Sequence, residues 1–401
     1  MKILFLGLLY DEKEEEQMLK NTKRGFQAAA NKFQWSIIKG LEKCDGVTVD
    51  VLGTIPCGSY PFNFKKLLIK SHSYSHQEGS NDRSIGFINL PFIKNMIRKK
   101  LIKKYMSDWI ATAPDDSVIM GYTLFGPILR NMKQAKEKKN RIKTCIIQAD
   151  AVFGRGGMSD TLLKRVKGNI AVSRLKMMDS FVILSKYLKE PLEIGDRPYV
   201  VVEGMVDDQF FDAGVSSYGD CGDKKIILYT GAINKIFHIC DLVDSFRYIE
   251  DETIELWICG SGDSLEYILQ AAERDKRIQY KGYVDKDTVL RYQNECTILV
   301  NPRKPTGTFT KYSFPSKTME YMLSGKPVLM YKLEGIPDEY DRYLNYFTAN
   351  DAEGMAIDIL SLLSKPEEER YGFGLEAKQF ILDNKNMKIQ CQKIVDMISG
   401  L

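Results

Sequence analysis

Short apolar runs alternate with longer amphipathic ones along most of the chain. MKILFLGLL, VTVDVLGTI, DDSVIMGY, KTCIIQAD and SFVILS read as buried strands. Between them, Ala28–Glu42 and Pro127–Lys138 have helical periodicity. The second half repeats the scheme. KKIILYTGA, IELWICGSG, RIQYKGYV, CTILVNPR and KPVLMYK are strands, and helices are predicted around Leu242–Ile249 and in DSLEYILQAAERD, DKDTVLRYQNE and PSKTMEYMLSG. Strands feeding helices at this spacing make βαβ units and parallel sheets. The alternation breaks at Val202–Asp212 and in the polar stretch Ala213–Lys224, which places a domain boundary there. The expected architecture is α/β: two doubly wound Rossmann-like domains, 1–205 and 206–385, facing a central cleft. A last helix over about 386–401 would cross back to the first domain. Parallel sheets bind ligands at the carboxyl ends of their strands. The loops after LYT, WIC, QYK and VNPR should therefore form one wall, and those after ILFLGLL and IIQAD the other. Tyr10–Lys23 is highly charged and reads as a mobile flap.

Composition narrows the class. With 44% hydrophobic and 27% charged residues in 401, collagen-like, disordered and mucin-like chains are excluded. No apolar run reaches the roughly 18 residues that a spanning helix needs. MKILFLGLLY is too short for a signal peptide, and acidic residues follow at once. Eight singly scattered Cys fit reduced thiols in a cytoplasmic protein rather than a disulfide frame or a zinc site. Only His72, His76 and His238 occur, and no DxD motif, so no metal is expected.

Charge adds an asymmetry. Residues 1–205 carry 34 Lys and Arg against 21 Asp and Glu, whereas residues 206–401 carry 23 against 32. A basic half implies contact with an anionic surface. Lys94–Met106 interleaves six cations, Arg98, Lys99, Lys100, Lys103 and Lys104 among them, with Ile97, Leu101, Ile102 and Met106 at helical spacing. That pattern suits a basic amphipathic helix on anionic lipid, with a surface helix whose apolar side lies on the core as its alternative. Lys133–Lys143 reads as a solvated helix face. No nucleic-acid module or aromatic stripe accompanies the charge, so nucleic acid is not an expected partner.

The order LYTGAIN, LWICGSGD, IQYKGYVDKDTV, ILVNPR and YSFPSKTMEYMLSGKPVLMYKLEGIPDEY resembles the nucleotide-sugar domain of GT-B-fold glycosyltransferases. It is most similar to retaining glycosyltransferase family 4, in its capsular and exopolysaccharide branch. The likeness is dense over Ile226–Tyr340 and looser before it, where RGFQAAANKFQ and VVEGMVDD fit. It implies a metal-independent enzyme without a cofactor. Such an enzyme would move a sugar, with retention, from a nucleoside diphosphate donor to a saccharide or lipid-linked acceptor. The setting would be surface polysaccharide synthesis, in the cytoplasm or at the inner membrane face.

The resemblance assigns roles residue by residue. Glu320 would accept hydrogen bonds from the ribose hydroxyls, and the helix start at Ser316–Thr318 would meet the pyrophosphate. A bland alternative has Ser316 as an N-cap and Glu320 paired with Lys317 on the helix surface. Gly231, Gly260 and Gly262 would let backbone approach the nucleotide, with Tyr283 and Val284 at the base or in the core. Asp150 is the candidate cleft carboxylate, with a turn role as its alternative. Gly25, Gln27 and Asn31 fall where the family holds donor phosphate or acceptor. Three positions depart from the family pattern. Ala232 and Phe237 stand where many members carry an Arg and a Lys that grip the pyrophosphate, and Tyr312, beside Ser313, stands where a first glutamate would be. Arg303 and Lys311, bracketing PTGTFT, are the expected replacements for the lost charge, with Lys235 and Lys317 in reserve. The rival readings are a sugar-nucleotide epimerase or phosphorylase of the same fold, and a non-catalytic GT-B-like binding partner.

Overall fold

The computed structural model describes residues 1–23, 27–138, 141–151, 162–207, 224–307 and 310–401. Two compact units emerge, Met1–Met205 with Met387–Leu401, and Val206–Asn386.

The first unit runs through β1 (Lys2–Gly7), α1 (Glu15–Asn21), α2 (Ala28–Glu42), β2 (Thr48–Gly53), β3 (Leu68–Ile69) and β4 (His72–Tyr74). It continues with β5 (Asp82–Ser84), β6 (Phe87–Ile88), α3 (Ile93–Thr112), β7 (Val118–Tyr122), α4 (Gly126–Lys138), β8 (Lys143–Gln148), α5 (Leu162–Leu175), β9 (Ser180–Ile183) and β10 (Tyr199–Val201). Its main sheet has the order β10-β9-β8-β7-β1-β2-β5-β4, parallel except for the β4–β5 pair, and β3 pairs separately with β6. Central strands covered on both faces need continuous apolar runs, which is why β1 and β7 contain almost nothing but buried residues. α2 buries Trp35, Ile37, Ile38 and Leu41 and ends at Glu42; Gly46, with a positive φ, lies in the turn that leads into β2.

Tyr10–Lys23 is not a flap. It holds helix α1, and Tyr10 and Met18 are buried with Ile55, Phe64, Ile69 and Phe87. The Trp35 indole donates to the Tyr10 carbonyl oxygen (2.8 Å). Charged residues cover the outside of this segment while two apolar ones anchor it.

The second unit comprises β11 (Lys225–Thr230), α6 (Ile239–Ser245), β12 (Ile254–Cys259), α7 (Leu265–Arg274), β13 (Ile278–Gly282), α8 (Lys286–Glu295) and β14 (Ile298–Asn301). After these come α9 (Ser316–Leu323), β15 (Val328–Met330), β16 (Asn345–Tyr346), α10 (Ala352–Ser364) and α11 (Glu367–Asn384). All strands are parallel, in the order β13-β12-β11-β14-β15-β16. The order therefore reverses between β11 and β14, the point where such sheets open a ligand crevice. α12 (Met387–Ser399) returns to the first unit. Its Cys391, Ile394 and Ile398 are fully buried in that unit's core, packed beside Ile37 and Leu41 of α2.

Candidate functional site

At the carboxyl edge of the second sheet, the turn after β11 lies directly on the turn after β12. Amides donate across it, Gly231 to the Cys259 carbonyl (3.0 Å), Ile233 to Ser261 (3.1 Å) and Ser264 to Ile233 (2.9 Å). A β-carbon on Gly260 would overlap the Gly231 carbonyl oxygen, and one on Gly262 would press into Ile233 and Asn234. These glycines are therefore required first for the close approach of two loops to each other. The Gly260 amide donates to Gly282 (2.9 Å), so the turn after β13 joins the same lattice. Beyond it, Tyr283 projects with 82% of its surface exposed, while Val284 is half-buried against the core.

The loops after β11 and β14 meet at the switch point. The Lys304 ammonium pairs with Asp241, and the His238 imidazole is 3.1 Å from the Thr306 hydroxyl. The Arg303 guanidinium lies 5.8 Å above the Phe237 ring and donates to the Ser313 hydroxyl (3.2 Å). Its own amide donates to Asn301 Oδ1 (3.3 Å), and burial pushes its pKa below the usual guanidinium range. Lys311 is half-buried with its ammonium 5.1 Å from the Tyr312 ring. Tyr312 itself is buried, so its ring packs the loop.

Helix α9 starts after Pro315 with no capping side chain, and Ser316 is its exposed first residue. Ser316 is thus not the N-cap. Glu320 is half-buried; Lys317 donates to both its oxygens (3.0 and 3.2 Å), and Gln293 reaches it at 3.3 Å. The ion pair allowed for in the sequence reading is present. α9 is fixed from beneath by Tyr321, whose fully buried hydroxyl accepts from the Thr230 amide (2.9 Å) and donates to the Thr230 carbonyl (2.9 Å). Lys235 sits on the turn after β11, where its amide donates to Asp263 Oδ1 (2.8 Å).

In the first unit, Asp150 lies two residues beyond the end of β8 and is exposed, yet protein crowded around it raises its carboxyl above the usual range. Asn31 is only 3% exposed and its Oδ1 accepts from the Tyr10 amide (2.9 Å), so it fastens the loop after β1 and is not open to a ligand. Gln34 does the same for Leu8, accepting from its amide (2.9 Å) and donating to its carbonyl (2.8 Å). Gln27 is exposed immediately before α2, and Gly25 lies outside the described residues.

Arg98 also departs from the sequence reading. It is 3% exposed, its guanidinium stands 3.8 Å over the Phe87 ring, and it donates to the Ile55 carbonyl (2.6 Å). Burial lowers its pKa to about 10. Ile102 and Met106 are buried with it, so the apolar seam of α3 faces the core, as the plainer alternative required. Lys100, Lys103 and Lys104 are exposed and Lys99 is half-buried. His72 and His76 have separate carboxylate neighbours, Glu14 for the first and Glu42 and Asp82 for the second. Among the described residues no cluster of three or more His, Cys, Asp or Glu is placed to hold a metal ion.

Residues 224–365 match the family described as Glycosyl transferases group 1. Solved structures align over essentially the whole chain. Sucrose-phosphate synthase from Thermosynechococcus elongatus gives a TM-score of 0.67 at 14% identity, covering 100% of this chain and 99% of that one. The α,α-trehalose 6-phosphate synthase from Burkholderia multivorans gives 0.66 at 9% identity, covering 100% and 98%. The lipopolysaccharide outer core galactosyltransferase WaaB gives 0.62 at 13% identity, with both chains fully covered. The fold is GT-B. No curated protein matches the chain.

The matched segment contains the whole stretch, Ile226–Tyr340, on which the GT-B resemblance was read. Sequence reasoning missed the residues that position this edge of the GT-B fold. Tyr321 is one step from Glu320 and reads as an ordinary apolar helix position. Gln293 bears on Glu320 from 27 positions away, and no local spacing signals that contact. Asn301 holds the Arg303 amide two residues on, a local turn contact that an Asn at a strand end could have signalled.

Proposed function

We propose that the chain is a retaining glycosyltransferase, similar to family 4, acting on a nucleoside diphosphate sugar. The acceptor in this reading is a saccharide carried on a lipid, in surface polysaccharide synthesis at the inner face of the cell membrane. The observation that carries the proposal is Arg303. Phe237 occupies the place of a family lysine, and the Arg303 guanidinium lies over that same ring at the β11/β14 switch point. A departing diphosphate gathers negative charge, and a partly desolvated cation held there stabilises it far better than one in water. The match over residues 224–365 supports the donor class.

In this reading the acceptor hydroxyl attacks the anomeric carbon on the face from which the diphosphate leaves. The new C–O bond forms as the sugar–phosphate bond breaks, and the hydroxyl proton passes to a phosphate oxygen. Arg303, Lys311 and the uncapped start of α9 near Ser316 meet the diphosphate charge without a resident metal. Glu320 exchanges its ion pair with Lys317 for the ribose hydroxyls, leaving Lys317 beside the diphosphate. Tyr283 lies against the base, and Asp150 orients the acceptor.

The test is a panel of uridine, guanosine, adenosine and thymidine diphosphate sugars, read by thermal stabilisation and by release of nucleoside diphosphate. Stabilisation by one donor, with release that rises when membrane extract supplies acceptors, is the expected result. Stabilisation without release, even with extract, favours the non-catalytic binder. No response to any donor overturns the reading.

A further inference from the structure

We infer that one side of the first unit, formed by the antiparallel β3/β6 pair and the start of α3, docks on an anionic lipid bilayer. The inference deepens the membrane part of the function proposed above and rests on it for its purpose. Its own observations are separate. Leu68 and Ile88 are direct cross-strand partners and both are exposed, while their strand neighbours Ile69 and Phe87 are buried. A half-buried antiparallel strand pair normally turns polar residues outward. This one is apolar on both faces.

Other large side chains extend the apolar surface. Phe92 is 86% exposed and Met96, one helical turn later, 71%; Phe62 is 74% exposed. Phe92 has a φ of 63°, a conformation unusual for a bulky residue, at the entry to α3. Asn89 locks these segments together. Its side-chain amide donates to the carbonyls of Gly58 (3.0 Å) and Lys66 (3.3 Å), and its backbone pairs with Leu67 and Tyr60. The apolar tips are therefore held in place by a fully buried side chain and do not belong to a loose loop.

Charge selects the partner. Residues 55–70 and 86–107 contain nine Lys and Arg and no Asp or Glu. The outward stripe of α3 begins with Phe92 and Met96 and becomes cationic at Lys100 and Lys103. An apolar tip with a lysine collar fits the boundary between acyl chains and anionic headgroups, with the lysine stems reaching the phosphates. A symmetric dimer through this face would set like charges against each other, which disfavours a second copy as occupant. The amphipathic seam read from the sequence, Ile97 to Met106, is not the contacting surface, because Ile102 and Met106 belong to the core.

The experiment is co-sedimentation of the full chain with vesicles of phosphatidylcholine alone, or with one third phosphatidylglycerol, without any sugar donor. Expected are binding that requires the anionic lipid and weakens at high salt, and about tenfold weaker binding for the double variants F92S/M96S and K100E/K103E. Thermal unfolding and donor-induced stabilisation of both variants should match the parent, since all four side chains lie outside the core and the donor site. Failure of vesicle binding with donor stabilisation intact overturns this inference and leaves the transferase reading standing. Unchanged vesicle binding by both variants overturns it too, as does concentration-dependent self-association in place of vesicle binding.

Discussion

In the proposed function, Arg303 and Glu320 carry the residue-scale chemistry, and each makes a distinct demand. Replacing Arg303 by Ala removes the cation over Phe237 and the bond to Ser313 while leaving Lys304 paired with Asp241. Turnover is expected to fall about a hundredfold, within the 2–4 kcal/mol typical of one lost donor to a developing charge, with a smaller loss in donor affinity. Equal kcat for R303A and the parent would sink the assignment. For Glu320 the informative comparison is between ribose and 2′-deoxyribose diphosphates. The parent should prefer the ribose form by about tenfold or more, the value of a hydrogen bond to a charged group, and E320A should lose that preference. A preference that survives in E320A would leave Glu320 with only its contacts to Lys317 and Gln293. Gly260→Ala tests the loop lattice. A β-carbon has no room beside the Gly231 carbonyl, so the second unit should lose about 1–3 kcal/mol in denaturant unfolding.

At the scale of elements, His76 joins α2 to the β4/β5 turn. Its Nδ1 is 2.6 Å from Asp82 and its Nε2 2.8 Å from Glu42 at the end of α2. Burial works against the charged imidazole, but the two carboxylates outweigh it and raise the pKa to about 9, from 6.5 in an unfolded chain. The protonated form is therefore the one that favours folding. Its contribution is complete below about pH 6.5 and is lost as pH rises through about 9. Asp82 has the opposite sign. Burial alone would raise its pKa, yet bonds from His76 and nearby amides hold it below the usual range, so its contribution disappears only in acid. Urea midpoints measured from pH 6 to 10 should decline for the parent and flatten for H76Q; equal slopes would contradict the pairing. Neither partner was legible in the sequence. Glu42 is 34 positions away, and only the pairing of β4 with β5 and of β5 with β2 brings the three side chains together.

At the scale of the whole molecule, the chain closes its first unit with its last helix. Cys391, Ile394 and Ile398 contribute core surface that residues 1–205 do not supply for themselves. Ending the chain at Asn386 should cost the first unit several kcal/mol, at about 1.5–3 kcal/mol for each buried aliphatic side chain. The second unit should keep its stabilisation by donor. Two-wavelength unfolding with and without nucleoside diphosphate checks this, and an unchanged first-unit transition would contradict the role given to α12.

The alternation of apolar strands and amphipathic helices determined the α/β class and most strand positions, because continuous burial on both faces of a parallel sheet leaves no choice of residue type. The phrases from LYTGAIN to GIPDEY carried the resemblance to a nucleotide-sugar domain, and the family match over residues 224–365 contains them. They were legible because the tight turns at that sheet edge depend on local glycines. Tertiary structure alone decided which cation stands over Phe237, which side of α3 meets the core, and that Asn31 is an anchor. Those outcomes depend on contacts between segments tens of residues apart, and periodicity shows that a face is apolar without showing what covers it. Thus Arg98, one of six cations in its run, is buried over Phe87 while Phe92 stands in solvent.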